Sequence, residues 1–289
     1  MRYYLSPTIF AGCLFARTTK YHCSHFGNNV WLHQPFNLKM LPIISLLKTS
    51  LRREAMLMNH KPFEQLGRAD FGWLKANHHF SFGHYYDPKH MGVGKLRVWN
   101  DDLIKAKKGF DPHPHRDMEI ITYVRKGAIT HEDSLGNRGR TEAGDIQVMW
   151  AGTGIVHSEY NLEDEDTLLF QIWIETRSKG RAPGWDAKEF PKDGIDGLRL
   201  MASGVTRQAD VIYFDADAHL FAGNLKAGSK HDHEITIPNG QVYLVPAEGK
   251  IMIDDQVVSA RDGLHIAASE KFTLEAVEDS EIVMVEVAS

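Results

Sequence analysis

The stretch "KGAITHEDSLGNRGRTEAGDIQVMW", residues 126–150, alternates strand-forming runs with tight turns. Leu135-Gly136-Asn137 and Ala143-Gly144-Asp145 separate runs that are rich in Ile, Thr and Val. Gly, Asn and Asp favour turns because they reach left-handed backbone conformations at little cost. β-Branched and aromatic residues favour strands. The stretch therefore predicts consecutive antiparallel strands joined by short turns.

The same pattern continues on both sides of this stretch, from Leu96 to the last residues of the chain. Long amphipathic helical patterns are hard to find there. Many short strands at regular spacing are typical of an all-β sandwich or barrel. The predicted strands are "KLRVWNDD", "EIITYV", "IQVMW", "LLFQIWIE", "LRLMAS", "VIYFDA", "QVYLVP", "KIMID", "FTLEAV" and "EIVMVEV".

A weak internal duplication divides the chain into two units. Lys126-Gly127 and Gly144-Asp145 bracket a strand-turn-strand layout that Glu248-Gly249 and Asp262-Gly263 repeat. Residues 175–197 are dense in Pro, Gly and charge, which is typical of a connection between units. We therefore expect an N-terminal unit at residues 56–177 and a C-terminal unit at 185–289.

Charge is distributed unevenly along the 289 residues. Residues 1–55 hold seven Arg and Lys against the single Glu54, a net charge of +6, so residues 56–289 carry −11 and the whole chain −5. An acidic body is a poor match for a phosphate backbone, so we expect no direct binding of nucleic acid.

Residues 1–55 are expected to be a leader outside the fold. An upstream extension or a mis-assigned start is the preferred interpretation, since Met56 and Met58 stand just before the first globular segment; an organelle transit peptide is the alternative. Both cysteines lie in this leader, which excludes a disulfide framework and a cysteine-based zinc site from residues 56–289. The apolar stretch "MLPIISLL" is too short to span a membrane. We expect a cytoplasmic protein.

Two histidine-containing pairs have the spacing of a metal site. In "DPHPHRDMEIITYV", His113 and His115 stand two residues apart, and side chains at that spacing on a strand share one face. In "WAGTGIVHSEYN", His157 and Glu159 have the same spacing. A single histidine is more often a surface or core residue than a ligand. Three imidazoles and one carboxylate in two matched pairs nevertheless predict a metal site.

Other histidines give weaker signals. His231 and His233 in "GSKHDHEITIP" form a third pair, but no matching His-x-Glu follows it, so we expect solvated side chains or a site without function. For His78 and His79 an exposed or packing position is preferred to a place in a binding pocket. "AGTGIVH" lacks the third glycine and the βαβ setting of a dinucleotide fingerprint.

Three stretches together resemble the pirin family of the cupin superfamily over residues 57–289: "GFDPHPHRDMEIITYV", "GDIQVMWAGTGIVHSEYN" and "HFSFGHYYDP". The first cupin motif, G…H-x-H-x3-E…G, and the second, G…G…H-x3-N, are matched in order. The matching residues are Gly109, His113, His115, Glu119, Gly127, Gly144, Gly152 or Gly154, His157 and Asn161.

The resemblance implies an all-β bicupin, two stacked antiparallel β-barrels of jelly-roll type, with one metal in the N-terminal barrel and none in the C-terminal barrel. The implied ligands are His113, His115, His157 and Glu159, with Glu159 also acting in catalysis. Glu119 occupies the position of the carboxylate ligand in many other cupins and is expected to lie beside the metal without binding it. The implied cofactor is one divalent transition metal, with Fe(II) favoured and Mn, Co, Ni, Cu or Zn as alternatives.

Two functions are compatible with the resemblance. The first is a quercetin 2,3-dioxygenase-like enzyme that opens flavonols, small aromatic substrates, with O2. The second is a regulatory metal-binding protein that acts through a protein partner such as a transcription factor or a metabolic enzyme. An open, aromatic-lined cavity beside the metal would favour the enzyme.

Overall fold

The computed structural model describes residues 56–192 and 196–289, and the predicted leader lies outside these residues. A 3-10 turn occupies Phe63–Gln65. The strands of the N-terminal half are β1 Leu57–Lys61, β2 Gly67–Asp70, β3 Leu74–His78, β4 Leu96–Ile104, β5 Lys108–His115, β6 Met118–Lys126, β7 Ala128–Asp133, β8 Arg138–Glu142, β9 Ile146–Trp150, β10 Ile155–Asn161 and β11 Thr167–Glu175. Those that follow are β12 Gly184–Lys188, β13 Gly197–Ser203, β14 Ile212–Tyr213, β15 Ala218–Leu225, β16 Lys230–Glu234, β17 Gln241–Glu248, β18 Lys250–Ile253, β19 Gln256–Ser259, β20 Gly263–Ala267, β21 Lys271–Ala276 and β22 Ser280–Val287.

The strands form two seven-stranded and two four-stranded sheets. The seven-stranded orders are β12-β9-β6-β11-β4-β3-β2 and β1-β20-β17-β22-β15-β13-β14. The four-stranded orders are β5-β10-β7-β8 and β16-β21-β18-β19. Each barrel pairs one large sheet with one small sheet. The predicted all-β architecture of two barrels is confirmed.

The sheet orders also confirm the internal duplication. The hairpin β7-β8 lies between β6 and β9 along the chain, and β18-β19 lies between β17 and β20 in the same way. The strand β5 with β10 in the first barrel corresponds to β16 with β21 in the second. Equivalent positions of the two barrels can therefore be compared strand by strand.

Two strands cross the boundary that the sequence predicted between the units. β1 lies in the predicted N-terminal unit but pairs with β20 of the second barrel. β12 lies almost entirely in the predicted C-terminal unit but pairs with β9 of the first barrel. Each is an outer strand added to the large sheet. Residues 175–197 thus contain a strand as well as a connection. The sequence did not predict that strand, because the segment is rich in Gly, Pro and charged residues.

Apolar residues form separate cores between and within the barrels. The large sheets pack face to face around a core that includes Trp99 and Phe170 from the first barrel and Phe214 and Tyr243 from the second. A second core fills the second barrel. Inside the first barrel the apolar residues divide into two smaller clusters, one around Ile129 and Leu169 and one around Met149 and Ile155. The first barrel thus has interior space that the second has filled.

In the residues that the structure describes, no helix has the length and apolar character needed to span a membrane.

Candidate metal centre and its cavity

Three histidines meet where β5 and β10 pair. His113 lies directly opposite His157, and His115 lies opposite Ile155. Because alternate residues of a strand share one face, both β5 histidines point inward while Pro114 between them is exposed. One ring nitrogen from each of His113, His115 and His157 lies within 4.8 Å of the others. The structure therefore brings together the three imidazoles that the sequence singled out.

Hydrogen bonds leave ring nitrogens of this cluster available as ligands. Nδ1 of His113 donates to the backbone carbonyl of Asp111 at 2.7 Å, which directs the Nε2 lone pair away from the backbone. The buried Nε2 of His157 has no hydrogen-bond partner among the described residues. A buried imidazole nitrogen without a partner is costly unless a ligand satisfies it.

Two of the three rings are held in the protonation state that binds a metal. Burial, followed by the neighbouring His157 and His113, lowers the pKa of His115 to about 4. Burial, followed by His113 and His131, lowers the pKa of His157 to about 3. Both rings are therefore neutral at physiological pH, and the neutral imidazole is the form that binds a metal.

Glu159 lines the same cavity but stands apart from the tight histidine cluster. A register shift between His157 and Glu159 on β10 places Glu159 opposite Phe110. Its carboxylate accepts hydrogen bonds from Thr122 Oγ1 at 2.9 Å, Gln147 Nε2 at 2.5 Å and Gln171 Nε2 at 2.5 Å. The side chain is 3% exposed, so these three donors hold a buried carboxylate in place.

A second histidine supports His157 from behind. Nδ1 of His157 lies 3.4 Å from Nδ1 of His131, and Nε2 of His131 lies 3.0 Å from Oδ2 of Asp133. Trp185 of β12 stacks on the His131 ring at 4.9 Å, so the strand that crosses the predicted boundary reaches this site. Burial acts to raise the pKa of Asp133, but hydrogen bonds from Asn137 and His131 outweigh it and lower that pKa. The ionised Asp133 therefore accepts a hydrogen bond from the N–H of His131. In this chain His157 donates to His131, and His131 donates to Asp133.

Glu119 does not lie beside the histidines, which corrects the expectation from the sequence. The strand does not continue regularly from His115, because Asp117 has a φ of 47° and its N–H donates to the carbonyl of Gly152. On β6, Ile120 lines the cavity and Glu119 points to the other face, near Thr176 and the backbone of Asp215.

The cavity beside the cluster has a volume of about 530 Å³. Small-molecule sites in proteins commonly have volumes of about 300–1,000 Å³. One part of the wall is aromatic, and its members are Phe71, Phe82, Tyr85, Phe110 and Trp173. Another part is polar, formed by His78, Asn100, Asp102, Glu159 and Gln171. His78 thus lies in the cavity wall, whereas the sequence favoured a packing or exposed position.

The second barrel differs at the equivalent positions. His231 lies opposite Leu274, and His233 lies opposite Phe272, where the first barrel has His157. Nε2 of His233 instead lies 3.1 Å from Oε2 of Glu286. Within the described residues, the His113 cluster is the one group of potential ligands close enough to hold a metal.

The donor set fits a divalent transition metal. Neutral imidazoles suit Fe, Ni, Cu and Zn, and a nearby carboxylate adds a harder ligand. His113 and His157 both line the cavity, so a metal held by them would lie next to a small molecule bound there. His131, Asp133, Gln147 and Gln171 were missed by the sequence analysis; only the spacing of His131 and Asp133, again two residues apart, offered a signal.

Comparisons with known proteins identify the family. The family model "Pirin" matches residues 59–174, and the model "Quercetinase C-terminal cupin domain" matches residues 200–287. A pirin-like protein of Caulobacter vibrioides is 52% identical over 233 residues, which cover 80% of this chain and 100% of that protein. Quercetin 2,3-dioxygenase of Escherichia coli is 39% identical over 219 residues, 75% of this chain and 93% of that enzyme.

Solved structures show the same fold. The crystal structure of the bacterial pirin YhhW from Escherichia coli in complex with nickel(II) has a TM-score of 0.75 and 36% sequence identity, and the match covers 80% of this chain and 99% of that one. The two family models match most of the described residues, and the relatives are 39% and 52% identical over at least 75% of this chain. Together they assign the chain to one family. The chain belongs to the bacterial pirin family.

Proposed function

We propose that this protein is a metal-dependent dioxygenase of the quercetin 2,3-dioxygenase type, with His113, His115, His157 and Glu159 as metal ligands. The observation that supports it most is the combination of three converging imidazoles with an aromatic cavity of about 530 Å³. The Escherichia coli relative carries that enzyme name, and the nickel(II) complex is of a pirin. Iron(II) is the metal that we favour.

A divalent metal bound here would supply Lewis acidity, which lowers the pKa of a substrate hydroxyl. Glu159 is the group that we assign to receive that proton, because its carboxylate is buried in the cavity wall and no cationic side chain among the described residues pairs with it. Gln147 and Gln171 hold the carboxylate by hydrogen bonds to opposite oxygens, so its orientation is set before the substrate binds.

The aromatic wall is suited to a flat aromatic substrate. Trp173 contacts both His115, at 5.0 Å between ring centroids, and Phe82, at 5.4 Å. These rings shield one side of the cluster from water and offer faces on which a flavonol ring can stack. A purely regulatory metal site has no need of such a cavity, which is why we place the regulatory function second.

Metal analysis combined with oxygen uptake tests the proposal. Protein loaded anaerobically with Fe(II), Mn(II), Co(II), Ni(II) or Cu(II) is mixed with quercetin in air-saturated buffer, and oxygen consumption is followed together with carbon monoxide release. We expect one metal per chain and turnover with at least one of these metals. Full metal loading without oxygen uptake in any of them would contradict the dioxygenase and favour the regulatory function.

A further inference from the structure

The cavity wall contains a buried carboxyl group that the proposed metal centre does not use. Asp102 on β4 lines the cavity and is 2% exposed. Its buried Oδ1 has no hydrogen-bond partner among the described residues. Such a group weakens the folded state, so its place in a binding cavity calls for a compensating role.

The neighbouring residue shows that the fold does supply partners for a buried carboxylate. Asp101 points to the other face of β4, where Arg125 lies at 3.2 Å and Arg261 at 2.5 Å from its oxygens. Asp102, one position along, has Ala76 as its strand neighbour on β3 and Leu169 on β11. Neither residue that lies directly opposite Asp102 in the sheet therefore offers its carboxyl group a polar side chain.

The electrostatics favour a carboxyl group that carries its proton. Burial, followed by the carboxylates of Asp101 and Glu159, raises the pKa of Asp102 well above its ordinary value. A neutral carboxyl group donates one hydrogen bond and accepts others. It therefore suits an oxygen atom of a bound molecule and does not repel an electron-rich ring.

We propose that Asp102 is a substrate-recognition residue that hydrogen-bonds an oxygen substituent, a hydroxyl or carbonyl group, of the aromatic molecule in this cavity. The inference rests on the proposed function and extends it to the substrate class. The substrate would then carry at least one oxygen substituent in addition to the oxygen atoms that approach the metal centre. Asn100, which shares the Asp102 face of β4 and lines the same cavity, extends the polar strip.

Anaerobic binding with two flavonols tests this directly. Quercetin and 3-hydroxyflavone share the 3-hydroxy-4-keto group, but only quercetin has further ring hydroxyls. Affinities for the metal-loaded wild type, Asp102→Leu and Asp102→Asn are measured without oxygen by calorimetry. We expect quercetin to bind the wild type at least about tenfold more tightly than 3-hydroxyflavone, because an unmet polar group in the site penalises the poorer ligand. The ratio should fall to within about threefold in Asp102→Leu and to an intermediate value in Asp102→Asn.

A stability measurement checks the premise that Oδ1 of Asp102 has no hydrogen-bond partner among the described residues. In the ligand-free protein, Asp102→Leu should leave Tm unchanged or raise it, since it removes a buried oxygen that no described residue satisfies. Asp145 is the matched control, because it is also buried but its Oδ1 accepts from the Phe190 N–H at 2.8 Å. Asp145→Leu should lower Tm.

The outcomes separate the inference from the function on which it rests. An unchanged ratio in both Asp102 variants, or a fall in Tm for Asp102→Leu as large as that for Asp145→Leu, would overturn the role of Asp102 while leaving the dioxygenase intact. A wild type that binds neither flavonol would overturn the proposed substrate class itself, and the inference with it.

Discussion

His113 lies directly opposite His157 in the first barrel, whereas His233 at the equivalent place in the second barrel lies opposite Phe272. The duplicated fold therefore supplies the same pair of neighbouring strands twice, but only the first pair carries imidazoles on both sides. In the second barrel, His233 is buried against the carboxylate of Glu286. One barrel has polar side chains around a cavity, and the interior of the other is filled with an apolar core.

Metal content should follow this difference. His113→Ala is expected to remove most of the bound metal, because two imidazoles hold a divalent ion much less tightly than three. His233→Ala is the matched control in the duplicated strand, and it should keep full metal content while losing stability, because the buried Glu286 carboxylate loses one of its partners. Plasma emission spectrometry after desalting measures both. Loss of metal in His233→Ala with retention in His113→Ala would place the site in the second barrel.

His131 should affect metal affinity without touching the metal. Its ring lies between His157 and Asp133, so it fixes which nitrogen of His157 carries the proton. Partners of this kind typically change metal affinity by about 10 to 100-fold. We expect a loss in that range for His131→Ala, measured by competition with a chromophoric chelator. His231→Ala, in the second barrel, is the control and should bind as the wild type does; equal affinity in both variants would show that the hydrogen-bonded chain is only structural.

Glu159 and Glu119 should differ in their effects on metal binding and activity. Glu159→Gln is expected to weaken metal binding and to abolish oxygen uptake even at saturating metal, because an amide is a poorer ligand and cannot accept the proton. Glu119→Gln should leave metal content unchanged, since its side chain faces Thr176 on the other side of β6. Metal titration and oxygen uptake give the two readings. If Glu119→Gln were metal-free and Glu159→Gln active, this chain would use the general cupin ligand.

Acid should destabilise the metal-free protein through its buried histidines. The pKa of His115 is about 4 and that of His157 about 3 in the folded chain, whereas an unfolded histidine titrates near 6.5. The unfolded chain therefore binds more protons between these values, so stability falls as the pH drops below about 6.5 and continues to fall towards 3 to 4. Thermal unfolding of metal-free protein across this range measures the slope. His157→Gln should flatten it; the same slope in both proteins would mean that His157 is not buried as a neutral ring.

Local strand patterns predicted much of the fold and the three histidines, because alternation along one strand fixes which side chains share a face. They were wrong for Glu119, since the turn at Asp117 interrupts the alternation between β5 and β6. Local patterns also overestimated one strand, since only Ile212–Tyr213 of "VIYFDA" is a strand. They did not predict which strands pair: β1 pairs with β20, far away in sequence, and β12 pairs with β9. His131 and Asp102 belong to the site through contacts between strands, which no local pattern contains.

The pairing of β1 with the second barrel predicts where the fold begins. β1 pairs with β20 over its whole length, Met58 packs against the core of the second barrel, and Nζ of Lys61 donates to the carbonyl of His79 and to Tyr85. A chain that begins at Met56 should therefore keep the Tm and the metal content of the full chain. A chain that begins at Pro62 loses the strand, leaves the edge of β20 unpaired and should melt at least about 5 °C lower, which corresponds to a loss of a few kcal/mol.

Differential scanning calorimetry and metal analysis of the two chains test both expectations. Equal Tm values would show that β1 adds nothing to the second barrel, and an insoluble or metal-free chain from Met56 would show that residues 1–55 are needed by the fold.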